Sequence, residues 1–556
     1  MSVRSLCLAT LFCLAAPTLA SCSSSTDTDT PDPAGPADPT PSSVVPYDMG
    51  SPEVTDLWVD PVAGDDGNPG TSKDKPLRTI SAAWALIPAA TELSGQGYRI
   101  NLLPGSYPCE PGPEESNCVN YFDARWGTHA HPVILQAVGG RGTAVVRGGF
   151  NFKDVRYLYL IDVDAEGGGS LPTNSSGNNL LHLEGGDHVL LRGVTLTGPS
   201  CVEDTCNNLQ EVLKVNQTQY LYVEESTVGG AWHSAVDYMV VQHGHVLGSH
   251  LYGAGQWCMY VKGGSAYLHV EGNEIEGCQL GFQAGQSANL AMMRSPWLHH
   301  EAYDVKLVNN VFHDVPGVPL SVAGAFNVVF AHNTLYRVAT SPDGHPLFQI
   351  VQGERNCTAT DELPDPAPVC QAHADEGGWG PVVLAEGVPV IPARNVWLYN
   401  NLFYNPPGSQ TAYAHFNIVG PLDLPPDMAN LPASVAVDAG VVIAGNVIWN
   451  GPSDHPFGFE EGAGGCQDTN ASCNRAQLVA DNSVNVFEPA LVDPEGGDYR
   501  PAPGGNVEKA KGKAIPDFSW AECPSTPTVP AGRLSNVVSV TRAGEDREGG
   551  GRPGAY

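Results

Sequence analysis

The sequence contains little positive charge. In 556 residues, 27 Lys and Arg stand against 60 Asp and Glu, a formal net charge of −33. Between Pro76 and Glu508 lysine occurs four times, at Lys153, Lys214, Lys262 and Lys306. Nucleic acids and anionic membranes are bound by basic surfaces, so the composition argues against both partners. A polyanionic ligand would need local cations or a bridging metal ion, whereas a neutral glycan would need neither.

Long apolar runs are also missing, apart from one at the N-terminus. That run begins after Arg4 and continues through Ala16, which is too short for a permanent membrane span. It is followed by Leu19-Ala20-Ser21-Cys22, and the whole segment resembles a bacterial lipoprotein signal. The resemblance implies that residues 1–21 are removed, that Cys22 is lipidated, and that the lipid anchors the chain at the bacterial outer membrane or cell surface. The alternative is an ordinary secretory signal with an incidental cysteine.

The rest of the chain divides by composition. Residues 22–50 hold Ser, Thr, Asp and Pro with almost nothing to bury, which predicts a disordered tether. Residues 51–450 carry repeated apolar runs and form the predicted main domain. Residues 451–556 lose this rhythm and become rich in Pro, Gly and Asp, which predicts a C-terminal cap and tail.

Cysteine usage indicates an oxidising compartment. Beyond the signal and Cys22, most cysteines fall in close pairs, with Cys523 left over. In an exported chain this pattern predicts loop-closing disulfides, whereas zinc sites would show paired CxxC spacing, which is missing. The candidate disulfide cysteines are Cys109 and Cys118, Cys201 and Cys206, Cys258 and Cys278, Cys357 and Cys370, and Cys466 and Cys473.

Short apolar runs that end in a small or amide residue recur along the main domain, for example YLHVEGNEI, VKLVNNVF and NVVFAHNTL. A unit of about 23 residues recurs three times, and longer gaps hold inserted loops. Asn tolerates left-handed turn geometry and stacked Asn side chains hydrogen-bond along a ladder, so we expect a structural role for them. The aligned positions are Val194, Ser226, Ser249, Asn273, Asn310, Asn333, Asn401 and Asn446.

The start of the main domain adds a second pattern. A strand near Leu57–Val59 leads through a Gly/Asp/Asn/Pro turn to apolar residues at helical spacing, and INLLPGSY follows. This succession resembles the secreted right-handed parallel β-helix proteins of the pectate lyase superfamily. The resemblance implies an all-β, single-stranded right-handed parallel β-helix with an N-terminal capping helix and long inserted loops. The residues at helical spacing are Leu77, Ile80, Ala83, Trp84 and Ile87.

The gap between Asn273 and Asn310 predicts where a site would lie, because it holds roughly fourteen residues beyond one coil. The extra residues include Arg294, Trp297, His299, His300, Glu301, Tyr303 and Asp304. Trp297 and Tyr303 fit a sugar-stacking platform on which polar neighbours bind hydroxyls. The alternatives are a metal site that uses His299, His300 and Glu301, or a structural loop.

Lys262 is the main catalytic candidate. It stands in the strand YVKGGS, and a lyase acting on a uronic acid needs a base whose pKa the environment lowers. The surrounding pattern resembles polysaccharide lyase family 6, of the alginate lyase and chondroitinase type. The resemblance implies that Lys262 is the base and that an arginine acid lies one coil later, where this chain has Gln283. Arg294 is the residue that could substitute for that arginine.

Asp237 lies about one coil before Lys262, so stacked strands would bring the two side chains together. A carboxylate there fits either a calcium ligand or half of a hydrolase pair with Glu301 or Asp304. The predicted catalytic residues are therefore Lys262, Asp237, Arg294 and His300. The predicted substrate-binding residues are Gln283, Trp297, Glu301, Tyr303 and Asp304.

The sequence thus favours a surface-anchored protein that cleaves an extracellular, uronate-containing polysaccharide by β-elimination. Two alternatives stay open, a non-catalytic glycan-binding or adhesive protein and a glycoside hydrolase on the same fold. We expect a monomer that contacts the membrane only through its lipid and does not bind nucleic acid. Ca²⁺ is the one cofactor that the pattern leaves open.

Overall fold

The structure is a computed structural model. It describes residues 44–108, 120–167, 179–198, 209–360, 363–380, 390–411, 413–418, 422–423, 430–431, 436–437, 439–450, 466, 470, 473–518, 535–547 and 551–556. Three long sheets, named A, B and C here, contain most of the strands in this part of the chain, and neighbouring strands in them run parallel.

A turn of the chain generally adds one strand to each sheet, and sheets A and C have twelve strands while sheet B has ten. Sheet A consists of β1 Val54–Val59, β2 Gly97–Leu102, β5 Val133–Ala137, β8 Leu158–Ile161, β11 Asp187–Arg192, β14 Gln219–Glu224, β17 Gln242–Leu247, β20 Ser265–Glu271, β24 Ala302–Val308, β27 Ala325–Ala331, β32 Arg394–Tyr399 and β37 Val442–Ala444. Sheet B consists of β4 Asn120–Asp123, β7 Phe150–Lys153, β10 Asn179–Glu184, β13 Glu211–Asn216, β16 Ser234–Met239, β19 Trp257–Lys262, β22 Leu280–Gly285, β26 Leu320–Ala323, β29 Phe348–Val351 and β34 Phe416–Ile418. Sheet C consists of β3 Gly105–Tyr107, β6 Ala144–Arg147, β9 Asp164–Glu166, β12 Thr195–Thr197, β15 Thr227–Ala231, β18 His250–Ala254, β21 Glu274–Glu276, β25 Val311–Val315, β28 Thr334–Val338, β33 Leu402–Tyr404, β38 Val447–Trp449 and β39 Ser483–Val484.

The remaining elements are short. They are the strands β23 Ser287–Asn289, β30 Gly353–Asn356, β31 Val390–Ile391, β35 Leu422–Asp423, β36 Ala436–Val437, β40 Leu491–Asp493 and β41 Asp498–Pro501, the helices α1 Ile80–Ala85, α2 Ala367–Asp375, α3 Arg475–Asp481 and α4 Asn506–Lys509, and the 3₁₀ turns Leu290–Met292 and Pro494–Gly496. No helix among the described residues has the length and apolarity that a membrane crossing requires.

The predicted parallel β-helix is confirmed. A coil runs through sheets B, A and C in turn. The next sheet B strand after β19 is therefore β22, and Trp257 of β19 pairs with Leu280 of β22. Side chains alternate along each strand: Val236, Met259 and Phe282 point into a single buried core. Their neighbours in sequence point outward and form the faces on which a site can lie.

The expected Asn ladder is also confirmed. The side-chain amide of Asn273 donates to Oδ1 of Asn310 at 2.9 Å, and Asn310 donates to Oδ1 of Asn333 at 3.0 Å. The same contact links Asn333 to Asn401 and Asn401 to Asn446. Because each amide is buried and partnered above and below, the ladder satisfies groups that would otherwise be costly to desolvate.

Helix α1 lies near the N-terminal coils. Thr79 caps it by accepting a hydrogen bond from Ala82, and Ile80, Ala83 and Trp84 are buried. The Trp84 ring packs against Phe122 at a centroid distance of 5.1 Å. The apolar spacing therefore correctly predicts a helix, although α1 is shorter than the spacing suggests. The expectation that this helix closes the end of the solenoid stays a prediction.

Three of the candidate disulfides are formed: Cys258–Cys278, Cys357–Cys370 and Cys466–Cys473. The first lies in the core and joins β19 to the corner at which the same coil ends, while the second joins the residue after β30 to Cys370 of α2. The other predicted pairs and two single cysteines lie outside the described residues: Cys109 and Cys118, Cys201 and Cys206, Cys22 and Cys523.

Candidate active site

An unbroken row of polar side chains crosses the outer face of sheet B. Strand pairing aligns Lys214 with Asp237, Asp237 with Tyr260, and Tyr260 with Gln283. Lys262 follows Tyr260 by two residues, so its side chain leaves the same face of the sheet. The one-coil spacing that we inferred between Asp237 and Lys262 is therefore realised, and it brings the two residues into one cluster.

The cluster is organised around one oxygen of Asp237. Lys214 donates from Nζ to Oδ2 of Asp237, and the Tyr260 hydroxyl donates to the same oxygen at 2.6 Å. Nζ of Lys262 lies 3.9 Å from that oxygen and donates to the Tyr260 hydroxyl at 3.3 Å. It also donates to Oε1 of Gln286 at 3.5 Å and lies 4.6 Å from the centroid of the Tyr260 ring. We name Lys214, Asp237, Tyr260 and Lys262 the sheet B cluster.

The two lysines reach solvent, whereas the carboxylate does not. The side chains of Lys214 and Lys262 are 17% and 15% exposed, and that of Asp237 is 1% exposed. The second carboxylate oxygen, Oδ1 of Asp237, is buried without a hydrogen-bond partner among the described residues. Three charges thus lie under a small solvent-exposed opening, and their field is weakly screened.

Burial and charge set different protonation states within the cluster. Burial lowers the pKa of the Lys262 ammonium, and the cation of Lys214 lowers it further against the opposing effect of Asp237. Burial would also lower the pKa of Lys214, but Asp237 and Glu211 outweigh it and raise that pKa. Burial would raise the pKa of Asp237, but the two lysines hold it below its usual value. Lys262 is therefore the lysine that more readily loses its proton.

Two residues that the sequence reasoning did not select border the cluster. Glu211 of β13 places Oε1 at 4.0 Å from Nζ of Lys214, and His233 places Nδ1 at 3.8 Å from the same oxygen. His233 also contacts the Ser234 hydroxyl at 2.7 Å. The 23-residue repeat could have pointed to this region. Aligning EVLKVN with SAVDYM places Lys214 beside Asp237 and Glu211 beside Ser234.

The Arg294–Asp304 insertion is held largely by contacts with other parts of the chain. Glu301 is fully buried, and both Nε and Nη2 of Arg355 donate to its Oε1, at 2.9 Å and 2.7 Å. Arg355 also donates to the backbone carbonyls of Leu298 and Trp379. The Glu301 side chain accepts from the backbone N–H of Gly263 at 3.2 Å as well, so it supports the corner after Lys262. Because Glu301 is buried and both of its carboxylate oxygens accept hydrogen bonds, it cannot contact a substrate.

The neighbouring insertion residues are likewise committed to packing. His300 is fully buried, contacts the Pro392 carbonyl through Nδ1, and stacks on Phe326 at 5.2 Å. The buried Tyr303 hydroxyl accepts hydrogen bonds from the backbone N–H groups of His299 and His300. Trp297 lies at 4.8 Å from the Tyr303 ring. The structure therefore corrects the expected roles of His300 and Tyr303, because burial keeps both from a glycan.

Asp304 and Arg294 contact residues outside the sheet B cluster. Asp304 belongs to β24 in sheet A, is buried, and lies 3.6 Å from Nζ of Lys306. Arg294 is exposed and donates to Oε1 of Gln217 at 2.6 Å, at the corner that follows β13. The hydrolase pair of Asp237 with Glu301 or Asp304 is therefore not assembled, since both partners are bound elsewhere.

Gln283 continues the polar row beyond Tyr260. It is 6% exposed, and its Oε1 accepts a hydrogen bond from the Ser321 hydroxyl at 3.0 Å, which in turn accepts from Gln349. An amide occupies the place where the family 6 resemblance implies an arginine. Trp257 packs at 5.1 Å from Tyr260 and 5.3 Å from His233, so an aromatic side chain does border the cluster, on the side opposite the insertion.

A metal site is one of the alternatives that the sequence leaves open. Among the described residues, no group of three or more His, Cys, Asp or Glu is arranged to hold a metal ion. Oδ2 of Asp237 is occupied by Lys214 and Tyr260. A calcium site that uses Asp237 stays a prediction.

Comparisons with known proteins show only distant structural similarity. No family model and no curated protein matches the sequence. Among solved structures, the pectate lyase Pel9A is 13% identical, covering 85% of this chain and 94% of its own, with a TM-score of 0.43. A rhamnogalacturonan lyase is 12% identical, covering 70% and 87%, with a TM-score of 0.39. A PL6 family polysaccharide lyase from Pseudopedobacter saltans is 11% identical, covering 76% and 94%, with a TM-score of 0.33.

The fold of this chain is a parallel β-helix. This follows from its own strand pairing, and at these identities and TM-scores no residue role is transferred from those proteins. What the site does must follow from the sheet B cluster itself.

Proposed function

We propose that the protein cleaves a uronate-containing extracellular polysaccharide by β-elimination at the sheet B cluster. The observation that carries the proposal is the position of Lys262, which combines a lowered pKa with partial exposure beside a second lysine. In a chain with a net charge of −33, two lysines that flank one buried carboxylate form a rare local cationic site.

Lys262 acts as the base. The reaction removes the proton at C5 of a uronate, so a neutral amine must reach that carbon near neutral pH. Burial shifts the Lys262 pKa in the required direction, and the Tyr260 hydroxyl and Gln286 orient the amine. Asp237 keeps Lys214 and Tyr260 in place by accepting from both.

Lys214 supplies the positive charge next to the base. Its raised pKa keeps the ammonium charged, and 17% of the side chain stays exposed. A uronate carboxylate near this cation would be partly neutralised, which makes the adjacent C5 proton more acidic and stabilises the developing enolate. One lysine thus stays charged while the other gives up its proton, and the elimination needs both states.

The bonds change as follows. Lys262 takes the C5 proton, the C5–H electron pair becomes the C4=C5 double bond, and the C4–O glycosidic bond breaks. The departing oxygen leaves as a hydroxyl once it is protonated. The products are a new reducing chain end and an unsaturated uronate, without an oxidant or reductant.

A polymer screen tests the proposal. The purified wild-type protein is incubated with alginate, polygalacturonate and chondroitin sulfate, and the absorbance of unsaturated chain ends is followed. We expect unsaturated ends from at least one polymer and none from Lys262→Ala. Lys153→Ala is the matched control, because Lys153 of β7 also points outward from the end of a sheet B strand but pairs with Glu184 at 3.4 Å.

The outcomes separate the rival functions. Saturated chain ends would contradict elimination and favour hydrolysis. Binding in a glycan array without any product over long incubation would contradict catalysis and favour an adhesive protein. Equal activity of Lys262→Ala and the wild type would remove Lys262 from the mechanism.

We further propose that lipid on Cys22 holds a monomeric enzyme at the bacterial outer membrane or cell surface, where such polymers are met. Cys22 lies outside the described residues, so this rests on the lipobox resemblance alone. Replacing Cys22 by Ala should move the protein from the membrane fraction to the soluble fraction. Unchanged fractionation would contradict the anchor.

A further inference from the structure

We propose that Glu211 is the acid that protonates the departing glycosidic oxygen. The inference rests on the proposed elimination and supplies the one group that the reaction still needs. It replaces the arginine that the family 6 resemblance implies, at a different strand and on the opposite side of the cluster.

Position is the first argument. Glu211 opens β13 and Lys262 closes β19, so they approach the Lys214–Asp237 pair from opposite ends. Oε1 of Glu211 lies 4.0 Å from Nζ of Lys214, and Nζ of Lys262 lies 3.9 Å from Oδ2 of Asp237. The side chain of Glu211 is 4% exposed, whereas that of Glu301 is 0% exposed, so Glu211 retains a small contact with solvent. The proposal requires a sugar ring that lies across this pair with its C5 proton toward Lys262 and a glycosidic oxygen toward Glu211.

Protonation is the second argument. Burial raises the pKa of the Glu211 carboxyl to about 7, although Lys214 opposes the shift, while the lysines keep Asp237 ionised. Two carboxyl groups beside one lysine thus differ in protonation near neutral pH. Environments that push the pKa values of neighbouring groups apart are how sites create an acid and a base.

The other groups around Glu211 do not compete for this role. His233 approaches Glu211 from the β15–β16 corner, and burial lowers its pKa to about 4, so at pH 7 it is neutral and lacks the acidic imidazolium proton. The Tyr260 hydroxyl already donates to Asp237, and burial raises its pKa well above the usual value. The charged groups that act on Glu211 are Lys214, Asp237 and Lys262.

The step balances without a further reagent. As the C4–O bond breaks, its electron pair stays on the oxygen, and the Glu211 proton converts that oxygen to a hydroxyl. Glu211 is left as a carboxylate beside the Lys214 cation. It regains a proton from water after the product leaves, while the Lys262 ammonium returns its proton to solvent.

A leaving-group experiment tests the inference. Glu211→Gln keeps the size of the side chain but has no acidic proton. It is compared with the wild type on a cleaved polymer and on a uronide that carries fluoride at C4, because fluoride departs without protonation. We expect a loss of about 10²-fold or more on the polymer and less than about 3-fold on the fluoride. An equal loss on both substrates would overturn the inference.

Three controls make the result specific. Glu184→Gln changes an outward carboxylate on the neighbouring strand, where Glu184 lies five residues after Asn179, the register partner of Glu211, and should leave both rates unchanged. Glu211→Asp retains an acid and should recover part of the polymer activity, which a packing defect would not. Lys262→Ala should abolish both reactions; if the wild type itself releases no fluoride and no unsaturated ends, the proposed function fails together with the inference.

The pH profile gives an independent readout. The kcat/KM of the wild type should fall as pH rises through about 7, where Glu211 loses its proton. Glu211→Gln should lack this descending limb while keeping the limb set by Lys262. Retention of the descending limb in Glu211→Gln would assign it to another group and contradict the role of Glu211.

Discussion

The sheet B cluster and the Arg294–Asp304 insertion contain similar residue types but differ in how their charges are satisfied. In the insertion, the Glu301 carboxylate is paired with Arg355, whose remaining donors reach backbone carbonyls, and both side chains are 0% exposed. In the cluster, two partly exposed lysines share one carboxylate whose second oxygen lacks a partner among the described residues.

A high density of polar and aromatic residues does not by itself mark a site. A buried, fully hydrogen-bonded ion pair fixes the backbone around it and has no capacity left for a ligand. Lys214 and Lys262 are partly exposed and can still bind a ligand. Their pKa values are shifted in opposite directions, so Lys262 can change its protonation state while Lys214 stays charged. The insertion thus supports the site from beside it, through Glu301 and the Gly263 backbone.

The comparison is tested most strongly by removing one cation from each region. Lys262→Ala should lower kcat by about 10³-fold, because the base is lost. Arg294→Ala should change kcat by less than about 3-fold, because its described contact is with Gln217 at the surface. Steady-state kinetics on the cleaved polymer measure both. A large loss in Arg294→Ala with an active Lys262→Ala would reverse the assignment of the two regions.

The second prediction concerns stability. Arg355→Met leaves the Glu301 carboxylate buried without its cation, so the free energy of unfolding should fall by about 3–5 kcal/mol. The double variant Arg355→Met/Glu301→Leu should recover a good part of that loss. Denaturant unfolding checks both. A neutral effect of Arg355→Met would show that the pair does not hold the insertion.

The third prediction uses the raised pKa of Glu211. A carboxyl group whose folded-state pKa lies above its unfolded value contributes stability below the unfolded pKa and loses it as pH rises through the folded pKa. Glu211→Gln should therefore be more stable than the wild type at about pH 8.5, by on the order of 2 kcal/mol, and nearly equal at about pH 4. Thermal unfolding at the two pH values measures this. Destabilisation of Glu211→Gln at the higher pH would indicate that the fold favours the ionised carboxylate, which contradicts a raised pKa.

The smallest expected effect is on substrate affinity. Trp297 packs on Tyr303 and Tyr267, so Trp297→Ala should lower the melting temperature while changing KM by less than about 2-fold. Trp257→Ala should raise KM more, since Trp257 borders Tyr260 in the cluster. Thermal unfolding and steady-state kinetics provide the two numbers. A larger KM change in Trp297→Ala would return the sugar platform to the insertion.

Much of the fold could be predicted from the sequence. The repeat of about 23 residues fixes the coil, and the Asn at each corner predicts the ladder that links Asn273 to Asn446, because both depend on local spacing. The meeting of Asp237 and Lys262 follows from the same spacing. Contacts between residues that are far apart in the chain and joined by long loops could not be predicted in this way.

Arg355 is the clearest example of such a partner. It lies 54 residues after Glu301, in a gap whose loops the repeat could not align, so the burial of Glu301 could not be predicted. The pKa of Glu211 similarly depends on how deeply three strands bury it, which strand spacing alone does not give. The insertion attracted attention for its composition, whereas the site lies in regular strands whose outward residues looked ordinary.

The central claim is that Lys262 removes a C5 proton, and a kinetic isotope effect tests it most directly. The polymer that gives unsaturated ends is prepared with deuterium at C5, and kcat/KM is compared with that of the protonated polymer. The account predicts a clear primary isotope effect in the wild type, with the deuterium missing from the unsaturated product. Saturated product that retains deuterium at C5 and forms at an unchanged rate would contradict it.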